Sequence, residues 1–539
     1  MATLETAYSK RNLLPLVALG VPISILGLVQ GTKFFSSHLL LAGLAWFVFK
    51  LQQSFLAKFS FDRRARQLGC GPVPVHPAKD PILGLDTLLS ALRANSSHRL
   101  LDWFADRTRL CGKTYYGQTL GEWIIMTSDP DNIKAVLSTN FDDWPIAGPR
   151  LYATLPALGR NSIFTTNGPE WNHARSLIRP SFVRNQVADL QCFDRHITNF
   201  LNAIPAADGE TFDVQALLQD MTMDSSTDFL LGYSTNSLVE PSPEARQMLD
   251  DFEFVSRESS RNARLGALIY FFPHPILYAA VKRTRKFIGY YMNKVIQESE
   301  KARGASRERS YVFLDELLKT SPSPDYTVDQ MLSILVAGRD TTATAVTAAF
   351  YFLARSPDAV KKLRKEIESV GEESPTWEQL RNMKYMNNVT READVIAALA
   401  LRLFPPVATN SRKANKETML PRGGGPDGSL PVLVPKGTSI RYSTASMHRD
   451  KDIYGPDADE FRPERWESDL RTGWTYLPFS GGPRICLGQQ FALTQISLTL
   501  YRFFQAFKSI EARDAGPLLA QTNLVINFPY GCKVSVKRA

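Results

Sequence analysis

The sequence predicts a mainly α-helical fold with a minor β component. Apolar residues recur with the period of an amphipathic helix in four long segments, whereas short runs rich in β-branched and aromatic residues lie near the two ends of the same region. The predicted helices are residues 215–230, 280–303, 328–354 and 488–507. The predicted strands are residues 121–128, 431–443 and 522–537. Helices therefore form most of the domain, and a small sheet component completes it.

The composition is that of a globular protein with a large core. The chain has 539 residues, of which 44% are hydrophobic and 11% aromatic. Its 63 Lys and Arg outnumber 54 Asp and Glu, giving a net charge of +9. Because these charges are scattered rather than massed in a basic arm, they favour an acidic membrane surface or an acidic protein partner over nucleic acid.

The cysteines and histidines exclude two common kinds of site. The five cysteines are widely spaced and include no Cys-x-x-Cys pair, so neither a disulfide framework nor a zinc site is indicated. None of the seven histidines forms a His-Glu-x-x-His motif, which argues against a histidine-based metal site. The catalytic part is therefore expected in a reducing compartment.

The N-terminal region predicts a membrane anchor. Residues 13–32 carry no charge over 20 positions, and residues 34–49 carry none over 16. A bilayer requires about 20 apolar residues for one helix, so the first run is long enough to span and the second is marginal. A cleaved signal peptide would have a shorter apolar core, and Pro15 and Pro22 would weaken a buried soluble helix. The cluster of Lys58, Arg63, Arg64 and Arg66 places the following domain on the cytoplasmic side.

Three regions follow from these patterns. Residues 1–57 are the predicted anchor, with one or two spans, and residues 58–80 are a basic, proline-rich linker. Residues 81–539 form one domain without repeats.

Two short runs within this domain have ordinary structural interpretations. The glycine-rich run 421–428 lacks the Gly-Lys-Ser/Thr ending of a phosphate loop and predicts a turn between two strands. The basic run 282–286 is a solvated helix face rather than a nuclear address.

The segment "FSGGPRICLG" is the strongest candidate for a functional site. Glycines and a proline break regular structure just before Cys486, and Gly488 then begins a long apolar helix. A cysteine in such a turn faces backbone N–H groups and the positive end of the helix dipole, which stabilises a thiolate. Cys486 taken alone would be interpreted as an ordinary buried cysteine in a glycine-rich turn.

The surrounding residues distinguish these two interpretations. Phe479, Gly482, Arg484, Cys486 and Gly488 match the pattern Phe-x-x-Gly-x-Arg-x-Cys-x-Gly, so the loop resembles the haem-binding loop of the cytochromes P450. The resemblance implies the P450 fold and a haem b (iron protoporphyrin IX) whose iron is bound by the Cys486 thiolate. It also implies that Phe479, Gly482, Arg484 and Gly488 contact the haem.

A second motif, "AGRDTT", lies inside the long apolar helix near its middle. An acid followed by two threonines is poor helix chemistry, because threonine hydroxyls compete for backbone carbonyls. Such a local conflict often marks a functional site, although an exposed turn or helix cap is an equal alternative for the motif alone. The P450 resemblance implies that Asp340 and Thr341 relay protons to bound dioxygen.

The resemblance also implies which cations hold the two haem propionates. Trp171 and Arg175 are four residues apart on one helical face, Arg412 follows a Pro-Pro stop, and Arg484 lies beside the cysteine. Arginine suits a carboxylate because its planar fork can bond both oxygens. Each of these residues alone would be a surface charge or, for Trp171, part of the core.

The Glu-x-x-Arg motif of the family is interrupted here. Arg402 precedes the Pro-Pro stop as expected, but Leu399 occupies the position of the glutamate. Setting aside residues 394–400 restores a typical "REALRLFPPV" with Glu392 three residues before Arg402. The resemblance implies that these two residues form a buried charge cluster with Arg465 of "FRPERW". The simplest account is a seven-residue insertion.

The insertion leaves two alternatives open. Seven residues turn a helix by about 700° and lengthen it by about 10.5 Å, so a continuous helix would keep its faces aligned but displace Glu392. Removing one partner of a buried ion pair costs about 3–5 kcal/mol. If the insert instead bulges out, Glu392 can still reach Arg402.

The resemblance covers nearly the whole chain, and its motifs are most similar to those of fungal microsomal P450s that oxidise n-alkanes and fatty acids at their ends. It implies a monooxygenase that uses dioxygen and electrons from NADPH through a P450 reductase. The expected location is the endoplasmic reticulum membrane, with the catalytic domain on the cytoplasmic side. The segment 144–164 is more polar than an alkane channel requires, so a fatty acid is preferred as the lipophilic substrate. The alternatives are a P450 of fungal secondary metabolism and a haem-poor, inactive protein resulting from the insertion.

Overall fold

The structure, a computed structural model, describes residues 44–45, 48–49, 52–53, 58–182, 190–302, 313–371, 374–386, 398–467 and 472–539. The chain divides into two compact units between Cys70 and Gly71, inside the predicted linker. Within the described residues, no helix combines the length and the apolar character that a membrane span requires. The predicted anchor lies almost entirely outside this part of the chain and stays a prediction.

The second unit is mainly helical, which confirms the predicted fold class. Its helices, in chain order, are α1 Leu85–Ser96, α2 Leu100–Cys111, α3 Pro130–Lys134, α4 Pro149–Leu158, α5 Gly168–Ile178, α6 Gln191–Ala203, α7 Val214–Leu231, α8 Pro243–Leu265, α9 Pro275–Ala302, α10 Phe313–Thr320, α11 Pro324–Leu353, α12 Pro357–Val370, α13 Trp377–Asn382, α14 Ala398–Leu403, α15 Thr444–Met447, α16 Lys451–Tyr454 and α17 Gln489–Ala506. The four predicted helices correspond to α7, α9, α11 and α17.

The strands in the described part of the chain form four small sheets. They are β1 Thr114–Thr119, β2 Glu122–Thr127, β3 Phe212–Asp213, β4 Thr409–Lys413, β5 Thr418–Gly424, β6 Leu430–Val434, β7 Ser439–Ser443, β8 Phe507–Ala512, β9 Gln521–Thr522, β10 Ile526–Asn527 and β11 Lys533–Arg538. The largest sheet has the order β1-β2-β7-β4, with β2 parallel to β7 and β4 antiparallel to it. The other sheets are β3-β11-β8, β5-β6 and β9-β10.

The run 421–428 is the predicted turn between two strands. Its first four residues form the end of β5, its last four lie between β5 and β6, and the two strands pair antiparallel. Gly423 and Gly425 have φ angles of 108° and 81°, which residues other than glycine rarely adopt. The glycines therefore make a tight connection and do not form a phosphate-binding loop.

Helix α11 runs through the core and carries the "AGRDTT" segment. Its first turn is capped by Ser323, whose Oγ accepts a hydrogen bond from Tyr326 N at 3.2 Å, with Pro324 at the first helical position. At Gly338 a Cβ would lie 3.0 Å from Ser226 Oγ of α7. Glycine thus lets α11 approach α7 closely next to Thr341.

Arg402, at the end of α14, is completely buried. Its Nη1 donates to His448 O at 2.8 Å and to Ala458 O, and its Nη2 donates to Glu460 O at 3.0 Å. Burial and the nearby charge of Arg465 lower the pKa of Arg402 to about 10. Backbone carbonyl oxygens therefore solvate this guanidinium in place of bulk water.

Arg465 is also buried, and it has a carboxylate partner that the sequence analysis did not identify. Its Nη1 donates to Asp457 Oδ1 at 2.8 Å and its Nη2 to Asp457 O at 2.7 Å. Asp457 Oδ2 binds Arg462 Nη1 at 2.7 Å on its other side. Glu392 and residues 394–397 of the insertion lie outside the described residues, as does the side chain of Leu399, so neither arrangement of the insert is tested.

We predict that Asp457→Asn destabilises the protein, because it removes the negative charge between Arg462 and Arg465. The Arg465 hydrogen bond, opposed by a smaller desolvation effect, lowers the pKa of Asp457 below its ordinary value. Its contribution is therefore present above the unfolded-state pKa of about 3.9 and is lost as pH falls through the folded-state pKa. Thermal unfolding should show a lower midpoint for the variant at pH 7, with the gap closing only below about pH 4.

The matched control is Asp106→Asn, which removes an exposed carboxylate paired with Arg109. Surface pairs of this kind contribute little to stability, so its midpoint should stay close to that of the unsubstituted chain. Equal midpoints for Asp457→Asn and the unsubstituted chain at pH 7 would show that Asp457 does not stabilise the cluster.

Candidate functional site

The cysteine loop is held in a fixed turn ahead of α17. Cys486 N donates to Phe479 O at 2.9 Å, and Ile485 N donates to Gly482 O at 3.0 Å. Gly482 has a φ of 67°, and a Cβ there would lie 1.9 Å from Leu137 O. Glycine is therefore required at this position by both backbone conformation and space. Gly488, in contrast, has only Phe182 within contact distance of a Cβ, at 3.9 Å.

Two opposing effects act on the Cys486 thiol. Burial within the protein raises its pKa, whereas the backbone N–H of Gly488 and the Arg175 guanidinium lower it. Its exposed surface forms part of the wall of a cavity. A cation that binds this sulfur would stabilise its thiolate form.

A cavity of about 450 Å³ brings most of the predicted site residues together. Those that line it are Thr341, Trp171, Arg175, Arg412, Phe479, Arg484, Cys486 and Gly488. Gly482 does not line the cavity and instead packs against the backbone of Leu137. Arg402 and Arg465 lie in the separate cluster described above. Much of the remaining wall is apolar, including Phe182, Phe229, Ile334 and Leu524.

Asp340 and Thr341 differ in position although they are adjacent. Thr341 lines the cavity, and its Oγ1 donates to Ala337 O at 2.5 Å. Asp340 does not line the cavity; its carboxylate accepts a hydrogen bond from Arg339 Nη1 at 2.8 Å. Burial raises the pKa of Asp340, and Arg339 lowers it. The threonine therefore faces the cavity, and the acid lies behind it.

Four guanidiniums converge on the cavity wall. Arg484 Nη2 donates to Thr166 O at 2.8 Å and to Asn167 Oδ1 at 3.1 Å, and its guanidinium lies 4.3 Å from the centre of the Trp171 ring. Arg175 Nη1 donates to Ile485 O at 3.0 Å and so ties α5 to the cysteine loop. Arg412 Nη1 donates to Ser411 O at 2.8 Å.

The fourth of these residues, Arg150 of α4, was missed by the sequence analysis. Its Nη1 donates to Asn410 Oδ1 at 2.8 Å, and Arg412 Nη1 approaches the same oxygen at 3.4 Å. Burial and Arg412 lower the pKa of Arg150 to about 9, while burial together with Arg150, Arg412 and Arg175 lowers that of Arg484 to about 8. No carboxylate forms an ion pair with any of the four in the part of the chain that the structure describes.

These features fit iron protoporphyrin. Arg412 is buried and the other three arginines are half-buried, so without acids they favour a bound anion, which two propionates would supply. The thiol of Cys486 is a soft ligand suited to iron, and the apolar wall suits the macrocycle. Cys486 would bind the metal, while Arg150, Arg175, Arg412 and Arg484 would hold the propionates beside Trp171.

Comparison with known proteins agrees with this fit. The family model of Cytochrome P450 matches residues 79–534. The chain is 40% identical over 480 residues to "Cytochrome P450 monooxygenase himC" of Aspergillus japonicus, covering 87% of this chain and 84% of that one. It is 38% identical over 497 residues to "Cytochrome P450 52E2" of Candida apicola, covering 88% and 93%, and 38% identical over 477 residues to "Cytochrome P450 52A3-B" of Candida maltosa, covering 84% and 89%. The chain belongs to the cytochrome P450 family.

Family membership confirms the main prediction from the sequence. The protein is a P450 monooxygenase, and the family implies haem, dioxygen, a supply of electrons and a lipophilic substrate. These three relatives are fungal proteins. The Aspergillus and Candida relatives are similar to the chain to nearly the same degree, so identity alone does not select the substrate.

A separate cluster lies between α6 and α7. His196 Nε2 lies 3.0 Å from Asp228 Oδ2, Cys192 Sγ lies 3.4 Å from the same oxygen, and Arg195 forms an ion pair with it. The sequence analysis missed this cluster because α6 and α7 meet only in the fold. The Arg195 guanidinium already balances the carboxylate, so we assign the cluster to helix packing.

We predict that Arg150→Gln has opposite effects on the apoprotein and on haem retention. Removing one of several repelling cations should raise the thermal midpoint of the apoprotein. Losing a charge-assisted hydrogen bond to a propionate should speed haem transfer to apomyoglobin by roughly tenfold or more. The two effects are measured by calorimetry of the apoprotein and by absorbance during transfer.

The opposite signs distinguish this role from simple structural damage, which would lower both the thermal midpoint and the retention of haem. Arg109→Gln, on the exposed surface of α2, is the matched control and should change neither. Unchanged haem transfer in Arg150→Gln would remove Arg150 from the propionate-binding set.

Proposed function

We propose that the protein hydroxylates the terminal carbon of a long-chain aliphatic substrate, with a fatty acid preferred over an n-alkane. The observation that carries this proposal is the largely apolar cavity that has Cys486 and Thr341 in its wall together with arginines. Apolar walls bind an alkyl chain by removing its surface from water. The motif resemblance to fungal P450s that oxidise alkanes and fatty acids supports the same substrate class.

When bound, haem supplies the activation of dioxygen and the insertion of one oxygen atom into a C–H bond. The residues of this chain supply the anchoring, the exclusion of water and the protons. Segment 144–164 contributes Arg150, Ala153, Leu158 and Phe164 to the cavity wall, which supports a role for it in a substrate channel. The mixture of apolar and basic residues there suits an amphipathic chain better than a hydrocarbon.

Thr341 and Asp340 are the proposed proton donors. Thr341 Oγ1 faces the cavity and can pass a proton into it, since a hydroxyl both donates and accepts hydrogen bonds. Asp340 lies one residue away, paired with Arg339, and burial shifts its equilibrium towards the protonated form. Asp340 would resupply Thr341 through water, because its carboxylate does not line the cavity itself.

The electron donor and the location are part of the same proposal. A net charge of +9 suits docking to an acidic reductase domain, so we propose NADPH–cytochrome P450 reductase as the partner. The uncharged N-terminal runs support an anchor in the endoplasmic reticulum membrane, with the catalytic domain on the cytoplasmic side.

The test is turnover of dodecanoic acid and of dodecane in membranes that contain the protein, P450 reductase and NADPH. Gas chromatography with mass spectrometry should show NADPH-dependent hydroxylation at the terminal carbon, faster for the acid. Thr341→Ala should lower product formed per NADPH consumed by about tenfold or more, because it removes the hydroxyl that delivers protons.

Thr347→Ala is the matched control for this experiment. Thr347 lies on the same helix, and its Oγ1 makes the same type of bond, to Ala343 O at 2.7 Å, but it does not line the cavity. It should leave the yield per NADPH unchanged. Absence of terminal products from both substrates would overturn the proposed function.

A further inference from the structure

Two more arginines line the cavity and are separate from the group of four. Arg264 lies in the last turn of α8, and Arg441 lies in the middle of β7. The β4–β7 register places Arg441 opposite Ser411 and Arg412 opposite Ile440. Directly paired residues share a face of the sheet and successive residues alternate, so Arg441 and Arg412 project from opposite faces.

Ring contacts support this separation. The Arg441 guanidinium lies 5.9 Å from the centre of the Phe104 ring of α2, whereas the Arg412 guanidinium lies 6.0 Å from that of Tyr442. Electrostatics group the residues in the same way. Apart from burial, the charge of Arg441 is the largest effect that lowers the pKa of Arg264. The charge of Arg412 has the same role for the pKa of Arg150. The cavity therefore holds two distinct groups of positive charge.

Neither Arg264 nor Arg441 has an acidic partner within the described ranges. Arg264 Nη1 donates to Ser260 Oγ at 2.7 Å, and its Nε is buried without an acceptor there. Arg441 makes no side-chain hydrogen bond to any residue that the structure describes, and burial lowers its pKa. Two half-buried guanidiniums without acids favour the binding of an anion.

The nearest acid on α8 is already engaged elsewhere. Glu258 accepts hydrogen bonds from Arg261 Nη1 at 2.9 Å and from His274 Nε2 at 2.8 Å. Neutral polar groups hold Arg264 in place instead. Asn95 Oδ1 lies 3.5 Å from Arg264 Nη1 and accepts a hydrogen bond from Thr522 Oγ1 at 3.0 Å. The pair is therefore positioned but not neutralised.

Arg150, Arg175, Arg412 and Arg484 carry four positive charges against the two negative charges of the haem propionates, so the propionates do not also neutralise Arg264 and Arg441. The remaining occupant of the cavity is the substrate. We propose that Arg264 and Arg441 bind the carboxylate of the substrate, which makes a fatty acid the preferred ligand over the alcohol or alkane of the same chain length. The inference rests on the proposed function for the identity of the chain, and it adds the residues that select the acid.

This arrangement explains how oxidation is directed to the far end of the chain. Two guanidiniums can form charge-assisted hydrogen bonds to both carboxylate oxygens, which fixes one end of the substrate. The alkyl chain then extends along the apolar wall towards Thr341 and Cys486. Fixing the head thus limits which carbon reaches the site of reaction.

The test uses two probes that differ only at the head, ω-imidazolyl dodecanoic acid and dodecylimidazole. Their imidazole nitrogen binds haem iron and shifts its absorbance, so affinity is read at equilibrium in the full-length holoprotein without turnover. The unsubstituted protein should bind the acid probe at least about tenfold more tightly than the neutral probe. Arg264→Gln combined with Arg441→Gln should abolish this preference and leave the affinity for dodecylimidazole unchanged.

Arg261→Gln is the matched control, since it removes the same charge one turn earlier on α8 from a residue that does not line the cavity. It should keep the preference for the acid. Arg441→Lys should retain part of it, which keeps the test decisive if the double variant binds little haem. No preference in the unsubstituted protein, or an equal preference in the double variant, would overturn the proposal.

The outcome is separable from that of the proposed function. Terminal hydroxylation of dodecanoic acid without an acid preference would overturn the role of Arg264 and Arg441 alone. An acid preference without hydroxylation of long-chain substrates would support the anion site and overturn the proposed reaction.

Discussion

The structure depends on positive charge that lines the cavity and that no acid among the described residues neutralises. Arg150, Arg175, Arg412 and Arg484 are held by backbone carbonyls and asparagine side chains, which orient the guanidiniums but leave their charge in place. Such an arrangement is unfavourable until an anion binds. Haem propionates would relieve this repulsion on binding, so the site would be organised before the cofactor arrives.

The cluster around Arg402 also places positive charge inside the protein, but there backbone carbonyls and a carboxylate bind the guanidiniums. Three carbonyl oxygens receive the Arg402 guanidinium, and Asp457 provides the charge for Arg465. Both terminal nitrogens of Arg402 therefore have acceptors although the Glu-x-x-Arg motif is interrupted, whereas its Nε is buried without an acceptor among the described residues. This matters for activity because the same region leads through His448, whose Nε2 accepts a hydrogen bond from Leu477 N at 2.9 Å, towards the cysteine loop.

The long helices could be predicted from the sequence because their apolar residues keep a regular helical spacing over many turns. The segment predicted at 328–354 is α11, Pro324–Leu353, which begins one turn earlier because Ser323 caps it. Cys486 and its loop were identified for a similar reason, since their spacing is local. Arg150, Arg264 and Arg441 were not, because an isolated arginine looks like a surface charge and these three come from α4, α8 and β7. Asp457 was missed because it is far along the chain from the helix before Arg402, where the family motif places the acid.

The proposal on which activity depends is that this chain, with residues 394–400 in place, holds haem through Cys486. The most direct test is the carbon monoxide difference spectrum of the dithionite-reduced protein in membranes, recorded beside a variant that lacks residues 394–400. The account predicts a Soret band at about 450 nm, the signature of thiolate-bound haem, in both proteins. A band in the deletion variant alone would contradict it, because the complete chain would then be a P450 that cannot retain its cofactor.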